Sequence, residues 1–371
     1  MNVTFRVDAS IEMGTGHVMR CLTLANALKE KGANCQFICR EHPGNLLQLI
    51  RAQRFKAYGL PFDESDQRSV PVKRHKELAH TQWLGTDWET DADEAISCMS
   101  DRDTDWLVVD HYALDVRWEE KLKPLYRRLM VIDDLADREH ICDLLIDQNL
   151  GRSPKDYERL APSTCKLLVG PNNALLRPEF GQLREASLLR RSVEPRCKEL
   201  LITLGGVDKD NATVAVMQAL QASSIPSDCQ ITVVMGANAP WLKVVRKLAL
   251  QMPWQTNVLV SVTNMAELMA ASDLAIGAAG STTWERCCLG LPSLMVVLAD
   301  NQLPIANALH DVGAAIKLGQ VVDVASKLPL AFLHLSNEAS LAEMSRAAAA
   351  VTDGLGVLNL LKAMEKFDAQ H

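Results

Sequence analysis

In RVDASIEMGTGHVMRC (6–21) a histidine follows a glycine pair where an apolar run gives way to a helical pattern. The loop Met13-Gly14-Thr15-Gly16-His17 would expose backbone N–H groups at the positive end of a helix, a place suited to a negative charge. Neutral imidazole is what a general base must offer near pH 7, so His17 is a candidate base, with Asp8 at the end of the apolar run as its candidate orienting partner. Gly14 and Gly16 belong to the same binding loop. It is no Walker A loop, which needs GxxxxGK[ST], and no dinucleotide fingerprint, because Met19 stands in the place of the third glycine. A glycine turn with an incidental histidine explains the same letters, and spacing alone does not choose between them.

A second stretch, GAAGSTTWERCCLGLP (277–292), places Gly277 and Gly280 where a ligand could come close. Ser281 or Thr282 could cap a new helix and bind phosphate. Glu285 falls one turn further on, where a carboxylate can accept hydrogen bonds from two ribose hydroxyls. A capped helix with a surface glutamate is the plain alternative. In ITLGGVDKDNAT (202–213) Gly205 and Gly206 end another apolar run and could meet a diphosphate or sugar. The polar groups Asp110-His111-Tyr112, Asp133-Asp134 and Asp147-Gln148-Asn149 each follow an apolar run, and together could wall in a polyhydroxylated or acetamido sugar. Asn301 and Gln302 in ADNQ carry amides suited to sugar hydroxyls, although each of these groups also reads as an ordinary turn.

These residues need a scaffold, and the pattern supplies one. Strand-sized apolar runs alternate with amphipathic helical runs, the rhythm of parallel α/β sheets. The rhythm runs to about residue 150, pauses over an acidic, irregular stretch at 61–95, and restarts at ELLITLGG. Fold class α/β is therefore expected: two doubly wound, Rossmann-like domains with an interdomain cleft. The expected divisions are 1–170 for the domain with the catalytic loop, 171–198 for a connection containing the charged run LREASLLRR, 199–330 for the second domain, and 331–371 for closing helices.

Composition narrows the function. The 371 residues are 48% hydrophobic and 23% charged, with a formal net charge of -7, an ordinary globular balance. Nucleic acid is not an expected partner, since a basic footprint is lacking. No run reaches the roughly 18 consecutive apolar residues of a spanning helix, no N-terminal secretion pattern is seen, and the ten cysteines include no CxxC, so a cytoplasmic chain with reduced thiols and no stable membrane association is expected. The nine histidines show no HxxxH or HExxH spacing, and neither metal nor cofactor is expected.

Taken together, RVDASIEMGTGHVMRCLTLANAL, VVDHYALD, VIDDLADREHICDLLIDQN, LITLGGVDKDNAT and GAAGSTTWERCCLGLPSLMVVLADNQ resemble the UDP-sugar hydrolases of pseudaminic acid biosynthesis, over residues 1 to about 315. GTGHVMRC and GSTTWE are the most specific blocks. That family is similar to the MurG-type glycosyltransferases, and the resemblance implies their two-domain GT-B fold. The resemblance implies cleavage of UDP-2,4-diacetamido-2,4,6-trideoxy-β-L-altropyranose to UDP and free sugar, in a pathway that serves flagellin glycosylation, with His17 as base for the attacking water. It also implies phosphate near Gly280, Ser281 and Thr282, ribose near Glu285, uracil against the backbone from Val262 to Met265, and sugar near Asn301 and Gln302. Asp110 and Tyr112 match the family's first-domain pattern without a definite step. Attack by water in a single displacement implies inversion at the anomeric carbon. Three rivals stay open: a transferase using the same donor, a hydrolysing 2-epimerase and a nucleotide-sugar binding module.

Overall fold

The computed structural model describes residues 1–62, 78–99, 103–193, 196–335 and 338–368. It divides into two units, Met1–Leu175 with Val357–His371, and Leu176–Gly356. In the first, β1 (Asn2–Val7) leads into α1 (Gly16–Glu30), β2 (Asn34–Arg40), α2 (Leu47–Ala52) and β3 (Lys56–Leu60). Then come α3 (Trp88–Met99), β4 (Thr104–Asp110), α4 (Val116–Leu122), β5 (Tyr126–Ile132), β6 (Leu144–Asp147) and β7 (Lys166–Val169). The strands form one parallel sheet in the order β3-β2-β1-β4-β5-β6-β7.

Both faces of that sheet are covered, which is why its strands read as continuous apolar runs. Along β4, Trp106 and Val108 join a core with α1 and α2, while Leu107 and Val109 join the opposite core with α3 and α4. The chain reverses its direction of winding between β1 and β4, and a crevice opens at such a switch point beyond the strand ends. His17 follows the first of those strands and Asp110 ends the second; in register, Val7 of β1 lies opposite Asp110 of β4.

The second unit starts with α5 (Pro178–Val193) and continues through β8 (Glu199–Thr203), α6 (Ala212–Leu220), β9 (Gln230–Met235), α7 (Leu242–Ala249) and β10 (Gln255–Val260). It goes on with α8 (Met265–Ala271), β11 (Leu274–Ala278), α9 (Thr282–Cys288), β12 (Ser293–Val297), α10 (Leu303–Asp311), β13 (Ile316–Gln320), α11 (Val324–His334) and α12 (Glu338–Val351). Its parallel order is β10-β9-β8-β11-β12-β13, with the switch between β8 and β11. Gly205 and Gly206 follow the first of these strands and Gly280 the second.

Several sequence expectations need correction. The run LREASLLRR is no linker: it lies in α5, whose Arg191 donates to Ser272 O at 2.6 Å and Met269 O at 2.8 Å, and whose Ser187 donates to Leu289 O at 2.8 Å. Helix ends leave carbonyls without partners, and α5 satisfies those of α8 and α9. Helix α4 ends at Leu122, just before Pro124, and Tyr126–Ile132 is strand. Part of the irregular stretch is α3, and part, 63–77, lies outside the described residues, as does Pro195 of the connection. Beyond β12, β13 pairs at the edge of the second sheet.

The closing helices do not act as one element. By length and composition Glu338–Phe367 is apolar enough to cross a membrane, with a mean hydropathy of 1.2 in its best window. The chain breaks it at residues 352–355, giving α12 and then α13 (Gly356–Asp368). Leu341 and Met344 of α12 enter the second unit's core, whereas Leu360, Leu361 and Met364 of α13 return to the first unit's.

Candidate active site

The turn before α1 is shaped by Ser10, whose carbonyl accepts from Gly14 N–H at 2.9 Å and whose hydroxyl accepts from Met13 N–H at 3.0 Å. Gly14 closes the turn at φ 76°, a left-handed conformation that favours glycine. Helix α1 then presents His17 and Arg20 on one face, three residues apart. His17 Nδ1 lies 2.5 Å from Asp110 Oδ1, and Arg20 grips the same carboxylate with two bonds of 2.6 Å, from Nε and Nη2. The remaining arginine nitrogen, Nη1, reaches Asp134 Oδ2 at 2.7 Å, where Tyr112 O–H also donates at 2.7 Å.

This network fixes the chemistry of the histidine. Asp110 is buried at the strand end, and although burial opposes its charge, Arg20 and His17 hold its carboxyl well below the usual carboxylate range. An ionised Asp110 accepts the proton on Nδ1, which leaves the lone pair of His17 on Nε2. The ring keeps partial access to solvent, 12% for its side chain, so Nε2 is where a proton can be taken. Tyr112 meets the ring edge-on with centroids 4.7 Å apart, and burial pushes its own hydroxyl up, keeping it a donor to Asp134.

Asp8, the orienting partner expected from sequence, is occupied elsewhere. Its Oδ1 accepts from Arg6 Nη1 and from Arg40 N–H, each at 2.6 Å, and its Oδ2 faces His111 Nε2 at 3.3 Å. His111 Nδ1 accepts from Ala113 N–H at 3.1 Å, so its ring proton sits on Nε2, on the side of Asp8. Arg6 and Arg40 in turn hold the buried Asp91. Asp8 therefore belongs to a buried ionic cluster that fastens β1 and β2 to α3.

The acidic groups expected to line a sugar site split in the same way. Asp133 pairs with Arg138 at 2.9 Å and accepts from Ala136 N–H. Asp147 accepts from Tyr157 O–H at 2.8 Å and from Asn149 N–H at 2.8 Å, and Gln148 accepts from Leu175 N–H at 2.8 Å. All three are buried and secure their own loops. Asn149 donates to the carbonyl of Asp134 at 2.9 Å, so it steadies the residue that joins Asp110 in the His17 network. Two residues unmarked in the sequence reading stand here as well: Trp83 and His80 meet at a tilt with centroids 4.3 Å apart, and Trp83 stacks on the Tyr112 ring at 5.7 Å.

In the second unit, Gly205 takes φ 93°, and a side chain on it or on Gly206 would meet open space. Gly206 O accepts from Gly236 N–H at 2.9 Å, joining the turns after β8 and β9. Asp208, not Asn211, caps α6, accepting from the N–H groups of Ala212 at 2.8 Å and Thr213 at 3.0 Å. After β11, Ser281 begins α9 without a side-chain cap bond, so capping does not occupy its hydroxyl. A side chain at Gly280 would come within 3.8 Å of Gln302 Nε2, which draws the turns after β11 and β12 together. Gln302 Oε1 anchors itself on Leu298 N–H at 3.0 Å; Asn301 is beside it in the same short 3-10 turn.

Glu285 lies 3.5 Å from Arg177 and is held back from bulk water, which raises its carboxyl above the ordinary value against the pull of that arginine. Val262 and Met265 flank the turn from β10 into α8 and are partly buried, with no ligand-specific geometry of their own. Gly277 does not serve ligand approach, because a side chain there would strike Arg286 Nη1 at 2.6 Å. Among the described residues no cluster of three or more metal-ligating side chains occurs.

Comparison with known proteins agrees with this architecture. Residues 200–357 match the model of the glycosyltransferase family 28 C-terminal domain. The chain is 25% identical over 307 residues to an uncharacterised protein of Methanocaldococcus jannaschii, covering 82% of this chain and 56% of that one, so it spans little more than half the length of this relative. It is also 25% identical over 314 residues to the UDP-2,4-diacetamido-2,4,6-trideoxy-beta-L-altropyranose hydrolase of Campylobacter jejuni, covering 84% of this chain and 97% of that protein. The resemblance read from the motifs is thus carried by most of the chain. The crystal structure of Acinetobacter baumannii MurG superposes with a TM-score of 0.70 at 17% identity over 98% of this chain and 99% of that one. The fold is of GT-B type, built from two Rossmann-like domains.

Proposed function

We propose that the protein hydrolyses UDP-2,4-diacetamido-2,4,6-trideoxy-β-L-altropyranose to UDP and the free sugar. His17 Nε2 accepts a proton from water as the water oxygen bonds to the anomeric carbon; the bond from that carbon to the diphosphate oxygen breaks, its electron pair leaves with UDP, and the centre inverts. The observation that carries this reading is the His17–Asp110 contact at 2.5 Å, with Arg20 fixing the carboxylate. General-base assistance of this kind is worth on the order of 100- to 10,000-fold in rate. In the second unit Gly280, Ser281 and Thr282 take the diphosphate, Glu285 the ribose, the Val262–Met265 backbone the uracil, and Asn301 and Gln302 the sugar. The Campylobacter relative supports the hydrolase and its substrate.

The match to a glycosyltransferase domain supports a second reading, transfer of the same donor sugar to a hydroxyl acceptor. One experiment separates the two. The purified protein is incubated with the UDP-sugar in ¹⁸O-labelled water without an acceptor, and UDP and sugar are followed by NMR and mass spectrometry. The proposal expects steady UDP release, the label in the sugar and inverted configuration, all lost in His17→Ala. UDP release that requires an added hydroxyl acceptor would establish the transferase instead, and a released sugar altered at C2 would establish a hydrolysing epimerase.

A further inference from the structure

Among the described residues of the second unit, no carboxylate pairs with Arg286. The side chain is buried, 1% exposed, under the turn from β11 into α9. Its Nη2 donates to Ala278 O at 2.8 Å and Thr283 Oγ1 at 3.1 Å, and Nη1 donates to Thr282 Oγ1 at 3.2 Å. Nε has no partner. Every acceptor is neutral, and the adjacent Glu285 faces Arg177. Burial pushes the guanidinium down to about 10, as expected of a cation without a counter-charge. The fold makes room for this group by placing glycine at 277, since a methyl there would contact Nη1 at 2.6 Å and Thr203 O at 3.2 Å.

A buried cation normally has an ionic partner, and a site that keeps one without it carries a standing cost. We propose that the partner is the diphosphate of the ligand, and that Arg286 acts on it through Thr282. Because Thr282 Oγ1 accepts from Arg286, its own hydroxyl proton is free to donate outward, and the donated bond polarises that proton toward an anion. Helix α9 has seven residues, two turns, so its dipole is a weak source of positive potential beside a full buried charge. Arg286 is thus a positioning residue: it sets the field and the hydroxyl orientation at the turn, and it favours the charge that grows on the leaving phosphate as the sugar bond breaks. The inference rests on the reading of this turn as the diphosphate site.

The test is calorimetric titration of UDP, UMP and uridine into the full-length protein and its Arg286→Met, Arg286→Lys and Thr282→Val variants, with a thermal melt of each. Arg286→Met is expected to weaken UDP by about tenfold or more while changing uridine by less than about twofold, as a charge acting on phosphate requires. Arg286→Lys should recover part of the loss, and Thr282→Val, which leaves the guanidinium in place, should weaken UDP but not uridine. The UDP-induced rise in melting temperature should shrink in Arg286→Met without a matching fall for the free protein. Equal weakening of UDP and uridine, or unchanged UDP affinity in either Thr282→Val or a folded Arg286 variant, would overturn the inference while leaving the diphosphate site standing. Failure of the unaltered protein to bind UDP would remove both. If Arg286→Met does not fold, the lysine and valine variants decide.

Discussion

In the first unit, Arg20 spends its donors on Asp110 and Asp134; in the second, Arg286 spends its donors on one carbonyl and two hydroxyls. Both arginines are nearly buried and both stand beside a switch-point turn. The first closes its charges within the protein, as a base needs: a fixed carboxylate sets the histidine tautomer, and the balancing cation keeps that carboxylate ionised. The second leaves its charge open, as an anion site needs. The sign and completeness of the local charge balance, rather than the glycine turns common to both units, separate the two tasks.

That contrast breaks most visibly at His17. His17→Ala should reduce kcat on the order of 100- to 10,000-fold with UDP affinity unchanged, measured by turnover and by calorimetry. Loss of UDP binding along with turnover would move His17 from base to binding residue. Asp110→Asn comes next: it removes the carboxylate that fixes Nδ1–H and leaves Arg20 half-paired, so kcat should fall on the order of 100-fold and unfolding free energy by about 3 kcal/mol. Urea denaturation and the pH–rate profile should both move; a variant altered only in stability would make Asp110 a structural residue like Asp8.

A third test uses pH. Burial, with Asp134 and Asp133 nearby, pushes the Asp147 carboxyl up to about 7. The folded chain then holds a proton that the unfolded chain releases near pH 4, so this contribution to stability is complete below about pH 4 and is lost as pH rises through about 7. Asp147→Asn should flatten that decline, gaining on the order of a few kcal/mol at pH 8 relative to pH 4, read from urea midpoints at the two values. An unchanged slope would place the proton elsewhere in the Asp133–Tyr157–Asp147 group. The smallest effect is expected at Trp83, whose replacement by Leu should raise KM several-fold with kcat nearly unchanged, if the aromatic group beside His17 contacts the sugar.

How much of this was legible before the fold was known depends on the residue. His17 was marked by its glycine turn, and Asp110 and Tyr112 by their place after an apolar run. Their pairing was not, because Asp8 and Asp110 both end strands at the same switch point and only the direction of each side chain decides which one meets the histidine. Arg20 had a usable signal, its three-residue spacing from His17 on one helix face. Trp83 and His80 had none, being in a short turn far along the chain from the residues they stack on. Arg286 carried no mark, since burial cannot be read from one letter. The arginines of α5 looked like a linker because the carbonyls they satisfy lie about 80 to 100 residues away.

Local pattern determined the alternation of strands and helices, the two parallel sheets and the position of glycine turns at strand ends, since hydrophobic period and backbone freedom act over a few neighbouring residues. Tertiary structure alone decided which groups meet: Asp110 with His17, Asp8 with Arg6, α13 with the first unit's core, and Arg286 with no carboxylate among the described residues. The reason is physical. A buried charge is stable only in the company it finds on folding, and that company comes from strands distant in sequence and adjacent in the sheet.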